Sequence, residues 1–181
     1  RGDIPASMFQ SVNAFFIIVF APLFSWFWAR LRSRGLEPST PIKFAVGIAQ
    51  LALGYYILVF GARFADEGVM PLVFLIVMYM FHTTGELSIS PVGLSVVTKL
   101  SPPRVVGFVM GTWFLSIAFA HELAVILGKL TVSPDESAPA TQTLTDSIDV
   151  YWTWGVLFLL GTAAVLVILS PMLKRRMHGI K

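Results

Sequence analysis

The hydrophobic residues of this chain fall into five long runs, which short polar stretches separate. We place these runs at about residues 5–29, 42–61, 69–97, 105–130 and 150–173. An α-helix needs about 20 residues to cross the hydrocarbon core of a bilayer, and each run is long enough to do so. The strands of a membrane β-barrel would be about 9–11 residues long and would alternate polar with apolar residues, which these runs do not. The pattern predicts an all-α membrane protein with five transmembrane helices.

The composition of the chain supports the membrane class. Of the 181 residues, 56% are hydrophobic and 13% are charged, whereas soluble domains average roughly 45–50% apolar and about 25% charged residues. The chain has no cysteine, which excludes a disulfide framework and a cysteine-based metal site. We expect no metal, no other cofactor and no nucleic-acid partner.

The basic residues alternate between the two ends of the predicted helices. Four follow the first run, two follow the third and four follow the fifth, which makes ten of the thirteen. If each run crosses the bilayer, these ten lie on one side, and seven of the ten acidic residues lie on the other. Basic residues concentrate in cytoplasmic loops, so we predict a cytoplasmic C-terminus and an external N-terminus. The polar stretch at residues 133–146 is predicted to be a flexible external connection.

One acidic residue, Glu86, lies inside the third run. At about 1.5 Å per residue it falls about 25 Å along a helix that begins near Val69, close to the middle of the bilayer. Translocon-based scales put the cost of an aspartate at a helix centre at roughly 2.5–3.5 kcal/mol. Acidic residues at this depth usually face a cavity or a polar partner and mark a transport pathway. The alternative is a buried ion pair that only holds helices together.

The residues around Glu86 favour a functional site. His82, Glu86 and Ser90 are spaced four residues apart, so we expect them to line one face of a helix. Pro91 removes a backbone donor in the same run, and together with two nearby glycines it predicts an interrupted helix. Secondary transporters build their substrate sites from discontinuous helices near the midplane. We therefore predict a polar cavity beside this face, and His82 is either a proton carrier or a buried structural histidine.

Three further features of the sequence can be explained by helix packing, and two of them also by a binding site. Asn13 in the first run either holds helices together or hydrogen-bonds a ligand. Trp113 in the fourth run lies too deep for the membrane interface, so it either fills the core or forms an aromatic wall of the cavity. Gly107 and Gly111 form a GxxxG motif, which we interpret as a site of close helix packing.

The motifs of common enzymes are missing from the sequence. The pair His121–Glu122 resembles the start of the zinc-protease motif H-E-x-x-H, but the second histidine is replaced by Val125. No P-loop, dinucleotide fingerprint or G-x-S-x-G motif is present, and no nucleophile–base pair is visible. We therefore predict that the protein is not an enzyme and that His121–Glu122 makes polar contacts between helices or a minor contact of a gate.

The stretch GELSISPVGLSVVTKLSPPRVVGFVMGTWFL, residues 85–115, resembles the tenth and eleventh helices of the proton-coupled oligopeptide transporter family, a branch of the major facilitator superfamily. The family pattern there is G-E-L-x-x-S-P-V-G-L, followed by P-x-R-x-x-G and then by M-G-x-W-F. Residues 4–22 (IPASMFQSVNAFFIIVFAP) resemble the eighth helix, and residues 37–47 (EPSTPIKFAVG) resemble the link into the ninth. The resemblance covers nearly the whole chain.

This resemblance implies a fold of twelve or more helices in two halves, of which the chain holds the last five. We expect it to be the C-terminal part of a longer transporter of the bacterial type, since the short join at residues 62–68 lacks the large external domain of the animal intestinal members. The implied activity is the import of di- and tripeptides, coupled to protons, across the inner (plasma) membrane by alternating access. The implied partners are the peptide, protons, the lipid bilayer and the missing N-terminal helices.

The resemblance also implies roles for four residues in a central cavity. Glu86 would bind the amino terminus of the peptide and is the candidate for proton coupling. Ser90 and Asn13 would line the same cavity, and Trp113 would shape its wall. Two other functions stay open, namely a related facilitator for another substrate, such as nitrate or a drug-like amine, and a membrane subunit that binds partners without transporting.

Overall fold

The computed structural model describes residues 6–129 and 139–177. The α-helices in these ranges are α1 (Ala6–Ser33), α2 (Thr40–Gly61), α3 (Leu72–Leu100), α4 (Val106–Lys129), α5 (Ala140–Val150) and α6 (Leu159–Arg176). A 3₁₀ turn at Ala62–Phe64 follows α2, and a π-helical segment at Tyr151–Phe158 joins α5 to α6. Within the same ranges the only β-type pairing is an isolated bridge between Asp66 and Val69. The described chain is therefore an all-α bundle.

Five helical stretches of the described chain are long and apolar enough to cross a membrane. They are the helices α1 to α4 and the continuous stretch that runs from α5 through the π-helical segment into α6. The 29 residues of α3 extend over about 43 Å at 1.5 Å per residue, more than the roughly 30 Å of bilayer hydrocarbon. The prediction of an all-α membrane protein with five transmembrane helices is confirmed.

Helix α3 continues through Pro91 without a break, so the predicted interruption is wrong. A proline removes one backbone hydrogen bond from a helix. Opening the helix at this depth would leave several further backbone groups without partners, because the interior of a bilayer holds no water to bind them. Keeping the helix and losing one hydrogen bond is the less costly arrangement.

The helix that contains the fifth hydrophobic run begins ten residues before that run, since α5 starts at Ala140 directly after Pro139. The part of the predicted external loop from residue 140 onward is therefore helical, and the prediction is wrong there. Residues 133–138 of the same loop lie outside the described residues. The half-buried apolar side chains Leu144 and Ile148 are four residues apart on α5. A stripe this narrow on an otherwise polar helix does not raise the local hydropathy, so the hydrophobic run does not include it.

Helix α2 lies at the centre of the described bundle and packs against α3 and α6. At Gly47 and Gly85 the backbones of α2 and α3 approach closely. A Cβ atom on Gly85 would lie 2.7 Å from the carbonyl oxygen of Gly47, and one on Gly47 would lie 2.9 Å from that of Gly85. Small residues permit this kind of approach between membrane helices. In a similar way, Gly155 of the π-helical segment makes room for the ring of Tyr55 on α2.

Helix α4 contacts the described bundle mainly through α3, and it has no buried residue. Cβ atoms added to Gly107 or Gly111 would meet nothing within 4 Å among the described residues. The described helices therefore make no close contact at this GxxxG motif, and its role in helix packing stays a prediction. The close glycine contacts among the described helices lie instead on α2, α3 and the π-helical segment.

The helix ends that carry the basic residues lie together in space. A hydroxyl–hydroxyl contact of 3.3 Å joins Ser39, the residue before α2, to Ser170 of α6. Glu37, in the join between α1 and α2, binds Lys43 of α2. Lys43 in turn lines one cleft with Lys99 of α3. We call this the basic end of the bundle, and its existence agrees with the alternation of charge along the chain.

Candidate functional site

Glu86 and Ser90 lie one turn apart on an exposed face of α3. The helix that carries them is one of the five membrane-type stretches, while positions on its other faces, such as Gly85 and Ser88, are buried. A carboxylate at this depth requires polar groups or water around it. Polar groups or water must therefore contact this exposed face of α3.

His82 does not share this exposed face. Its ring packs edge-on against Tyr55 of α2, with 4.7 Å between the ring centroids, and it lies over Gly54. Each step of four residues turns by about 40° more than a full revolution, so His82 is rotated by about 80° from Ser90 around the helix. Of the three residues predicted to share a face, only Glu86 and Ser90 are exposed together. His82 instead belongs to the contact between α2 and α3.

Asn13 of α1 is connected to α3 by a hydrogen bond. The hydroxyl of Thr83 donates to Oδ1 of Asn13 at 2.5 Å, and the carbonyl oxygen of Tyr79 is a second acceptor at 2.8 Å. Thr83 is fully buried, with 0% of its surface exposed. The Oδ1 atom of Asn13 therefore makes a contact between helices. The two N–H donors of the same amide group are separate from this atom and suit a second partner.

Trp113 of α4 lies against Gly93 of α3, where a Cβ atom would overlap the indole ring and lie 3.0 Å from the ring of Phe44. The tryptophan is half-buried. It thus fills part of the contact between α3 and α4 and leaves part of its surface exposed. Both interpretations from the sequence, core packing and cavity wall, are compatible with this position.

The four predicted residues come from three helices that meet along α3. Helix α1 contacts α3 at Thr83, and α4 contacts it at Gly93. Along the sequence of α3, Glu86 follows the first of these contacts by three residues and Ser90 precedes the second by three residues. A carboxylate, a hydroxyl, an amide and an indole together suit a ligand that carries an ammonium group and other hydrogen-bonding groups.

Sequence reasoning missed the role of Thr83. The signal available was the pair Thr83–Thr84, two hydroxyl residues in an apolar run directly before Gly85 and Glu86. Polar side chains in a membrane helix commonly hydrogen-bond across to a neighbouring helix. Which of the two would do so depends on the rotation of α3, and Thr84 instead donates to the carbonyl of Phe81 in its own helix at 3.0 Å.

The described residues form no group of three metal-ligating side chains. A groove of about 380 Å³ lies between α2, α4 and the π-helical segment, and its lining is largely apolar, with Tyr55, Leu127 and Trp154 among its residues. A cleft of about 240 Å³ lies at the basic end. Glu86 lines neither of them, so the candidate site is the open face of α3.

Sequence comparison finds relatives that match nearly the whole chain. Residues 2–144 match the POT family. The uncharacterised transporter YclF of Bacillus subtilis is 36% identical over 179 residues, which cover 98% of this chain and 33% of that protein. The dipeptide and tripeptide permease B of Aeromonas hydrophila is 36% identical over 173 residues, which cover 94% of this chain and 34% of the permease. The chain thus spans about a third of the length of the curated relatives it matches.

Solved structures show the same arrangement of helices. A crystal structure of a peptide transporter POT in complex with sulfate matches with a TM-score of 0.73 at 28% identity, over 92% of this chain and 31% of that one. A mutant peptide transporter POT in complex with alafosfalin matches with a TM-score of 0.73 at 29% identity, also over 92% and 31%. The fold is that of a helical membrane segment of the major facilitator type. The chain belongs to the POT family, as the resemblance of residues 85–115 predicted.

Proposed function

We propose that the chain is part of a secondary active transporter that imports di- and tripeptides together with protons by alternating access. The observation that carries this proposal is the exposed carboxylate of Glu86 on a membrane helix, between the contacts that α1 and α4 make with α3. Membership of the POT family supports it, as do relatives that are named dipeptide and tripeptide permease. The chain supplies helices of one half of the transporter, and the other helices complete the cavity.

In this proposal Glu86 binds the amino terminus of the peptide through a charge-assisted hydrogen bond. Glu86 is also the proposed proton-coupling residue, as the resemblance to the family implies. Ser90 lies one turn away on the same exposed face and would donate a hydrogen bond to the peptide. The amide of Asn13 and the indole of Trp113 would line the cavity on the sides of α1 and α4.

We further propose that the transporter lies in the inner (plasma) membrane with the basic end toward the cytoplasm. The gathering of Arg32, Lys43 and Lys99 at one end of the bundle supports this orientation, because basic residues concentrate on the cytoplasmic side of membrane proteins. The C-terminus, which follows α6 at the same end, would then be cytoplasmic. The proposed activity is transport, and no catalytic step is assigned to any residue.

The first test is uptake of labelled dialanine by the full-length transporter that contains this chain, reconstituted in liposomes with an inward proton gradient. Wild type should accumulate dialanine only with the gradient, and Glu86→Gln should lose gradient-driven uptake. Asp66→Asn is a control, since Asp66 is an exposed acid in the turn between α2 and α3, outside the candidate site. Equal uptake by wild type and Glu86→Gln would remove Glu86 from the mechanism and leave it a structural role.

A competition panel separates the proposed activity from the two alternatives. Di- and tripeptides should displace the labelled substrate, whereas free amino acids should not. Displacement by nitrate or by drug-like amines, and not by peptides, would indicate a related facilitator of another substrate. Folded protein that shows no saturable uptake or binding of any of these compounds would indicate a membrane subunit that does not transport.

A further inference from the structure

The cleft at the basic end lies between the ends of three helices and has a volume of about 240 Å³. Trp28 and Arg32 come from α1, Lys43 comes from α2, and Ser95 and Lys99 come from α3. Neither Glu86 nor Ser90 lines this cleft, although Pro91, which directly follows Ser90 in α3, does. The proposed transport of peptides therefore assigns no role to the residues that line this cleft.

Glu37 fixes two of the three basic residues in place. Nε and Nη2 of Arg32 donate to the two carboxylate oxygens of Glu37 at 2.9 and 3.0 Å. Nζ of Lys43 donates to Oε1 of Glu37 at 2.6 Å. These hydrogen bonds lower the pKa of Glu37 to about 2, and the bond from Arg32 has a larger effect than the bond from Lys43. The carboxylate therefore stays charged at neutral pH and keeps Lys43 at the wall of the cleft.

The cleft nevertheless keeps a positive charge. Three basic side chains line it and Glu37 neutralises one of them, which leaves a formal charge of +2. The side chain of Arg32 is 70% exposed, and Lys99 is exposed and makes no ion pair within the described ranges. Lys43 is buried over the ring of Trp28, with Nζ 5.2 Å from the ring centroid, and only one of its three N–H donors is used by Glu37. The cleft therefore offers donors to an anion.

We propose that this cleft binds the headgroup of an anionic phospholipid. Basic pockets between transmembrane helices on the cytoplasmic side of a membrane bind acidic headgroups, and tryptophan is enriched at the same level of the bilayer. The cleft lies where helices leave the apolar region, and Pro91, Val92 and Val96 form an apolar part of its wall. This mixture suits a phosphate attached to a glycerol and acyl chains better than a free phosphate, which has no apolar part.

The test is titration of the purified full-length transporter with phosphatidylglycerol and with phosphatidylcholine, with the bound lipid counted by native mass spectrometry. We expect tighter binding of phosphatidylglycerol, and weaker binding as salt is raised. Lys99→Gln should weaken that binding by about fivefold, which corresponds to the roughly 1 kcal/mol that one basic residue contributes near a charged membrane surface. Arg175→Gln, which changes an exposed basic residue of α6 that does not line the cleft, should weaken it less than twofold.

Three results would overturn the proposal. Equal affinity for the two lipids would show that the headgroup charge is not recognised. Equal weakening by Lys99→Gln and Arg175→Gln would assign the preference to the general positive charge of the basic end. Displacement of the bound lipid by millimolar inorganic phosphate would assign the cleft to a soluble anion. None of these results bears on peptide uptake, so the lipid site and the proposed transport activity are tested independently.

Discussion

The hydroxyl of Thr83 connects α3 to α1 about one turn before Glu86. The helix contact at this point is small and polar, and the acceptor is Oδ1 of Asn13, a residue that we also propose to line the cavity. A side chain that is held by one atom loses less conformational entropy when its other atoms bind a ligand. We therefore propose that Thr83 positions the amide of Asn13.

We predict that Thr83→Val lowers the stability of the full-length transporter by about 1 kcal/mol, the usual range for a hydrogen bond between membrane helices. Valine has nearly the shape of threonine but leaves Oδ1 of Asn13 without its donor. Thr83→Ser, which keeps the hydroxyl, should retain most of the stability. Thermal unfolding of the purified protein measures the difference.

Thr98→Val on the same helix is the matched control, because the hydroxyl of Thr98 bonds only to carbonyls of its own helix. If Thr83→Val and Thr98→Val cost the same, the bond to Asn13 contributes nothing of its own. A positioning role further predicts a higher KM for dialanine in Thr83→Val, with recovery in Thr83→Ser. An unchanged KM would limit Thr83 to a structural role.

At the scale of the elements, α1 and α2 are joined by a short connection whose geometry depends on Glu37. The chain turns at Gly35, which has a φ angle of +70°, a conformation that glycine adopts without strain. Glu37 then receives hydrogen bonds from the last turn of α1 and from the first turn of α2. The side chain of Glu37 is only 7% exposed, so water screens this cluster less than a surface ion pair.

This ionic cluster predicts a pH dependence of stability. The pKa of Glu37 is lowered from its ordinary 4.5 to about 2, chiefly by the hydrogen bond from Arg32. A carboxyl group with a lower pKa in the folded state stabilises the fold above its unfolded pKa, and this stabilisation is lost as the pH falls through the folded value. The contribution of Glu37 should therefore be complete above about pH 4.5 and decline from there toward pH 2.

Comparison of the wild type with Glu37→Gln measures this effect. The wild type should have the higher unfolding temperature at pH 6, and the difference should narrow as the pH is lowered from 4.5 toward 3. Glu122→Gln should show no such narrowing, because Glu122 is exposed and has no ion pair within the described ranges. A difference between wild type and Glu37→Gln that is constant over this pH range would contradict the assignment.

At the scale of the whole molecule, the bundle separates its charges between two ends. The basic end collects the ends of α1, α2, α3 and α6, whereas the turn between α2 and α3 at the opposite end carries the exposed acids Asp66 and Glu67. Stacking of Phe64 on Phe74, with ring centroids 5.5 Å apart, closes this turn. This separation of charge supports the proposed orientation, because basic residues concentrate on the cytoplasmic side of membrane proteins.

We predict that a cysteine in place of Asp66 reacts with a membrane-impermeant maleimide in intact cells, whereas a cysteine in place of Arg34 reacts only after the membrane is made permeable. Both positions are exposed, and this chain has no cysteine of its own. The experiment requires a full-length background without other cysteines. The reverse labelling pattern would place the basic end outside and contradict the proposed orientation.

The sequence by itself determined the number of membrane helices, the alternation of basic residues and the position of the acid at Glu86. These features are local, because a run of about 20 apolar residues predicts a membrane helix, and loop charges predict its orientation, whatever the helix packs against. The family pattern at residues 85–115 determined the class of protein for the same reason, since it is read along one stretch of chain.

The tertiary structure alone decided which side chains and backbones meet. His82 faces α2 and not the exposed face of Glu86 because the helix turns a further 40° with every four residues. Gly47 and Gly85 lie at a close backbone contact, whereas the better-known motif at Gly107 and Gly111 has no neighbour within the described residues. The Thr83–Asn13 bond joins residues 70 positions apart. Such contacts depend on the rotation and crossing of two helices, which no single stretch of sequence contains.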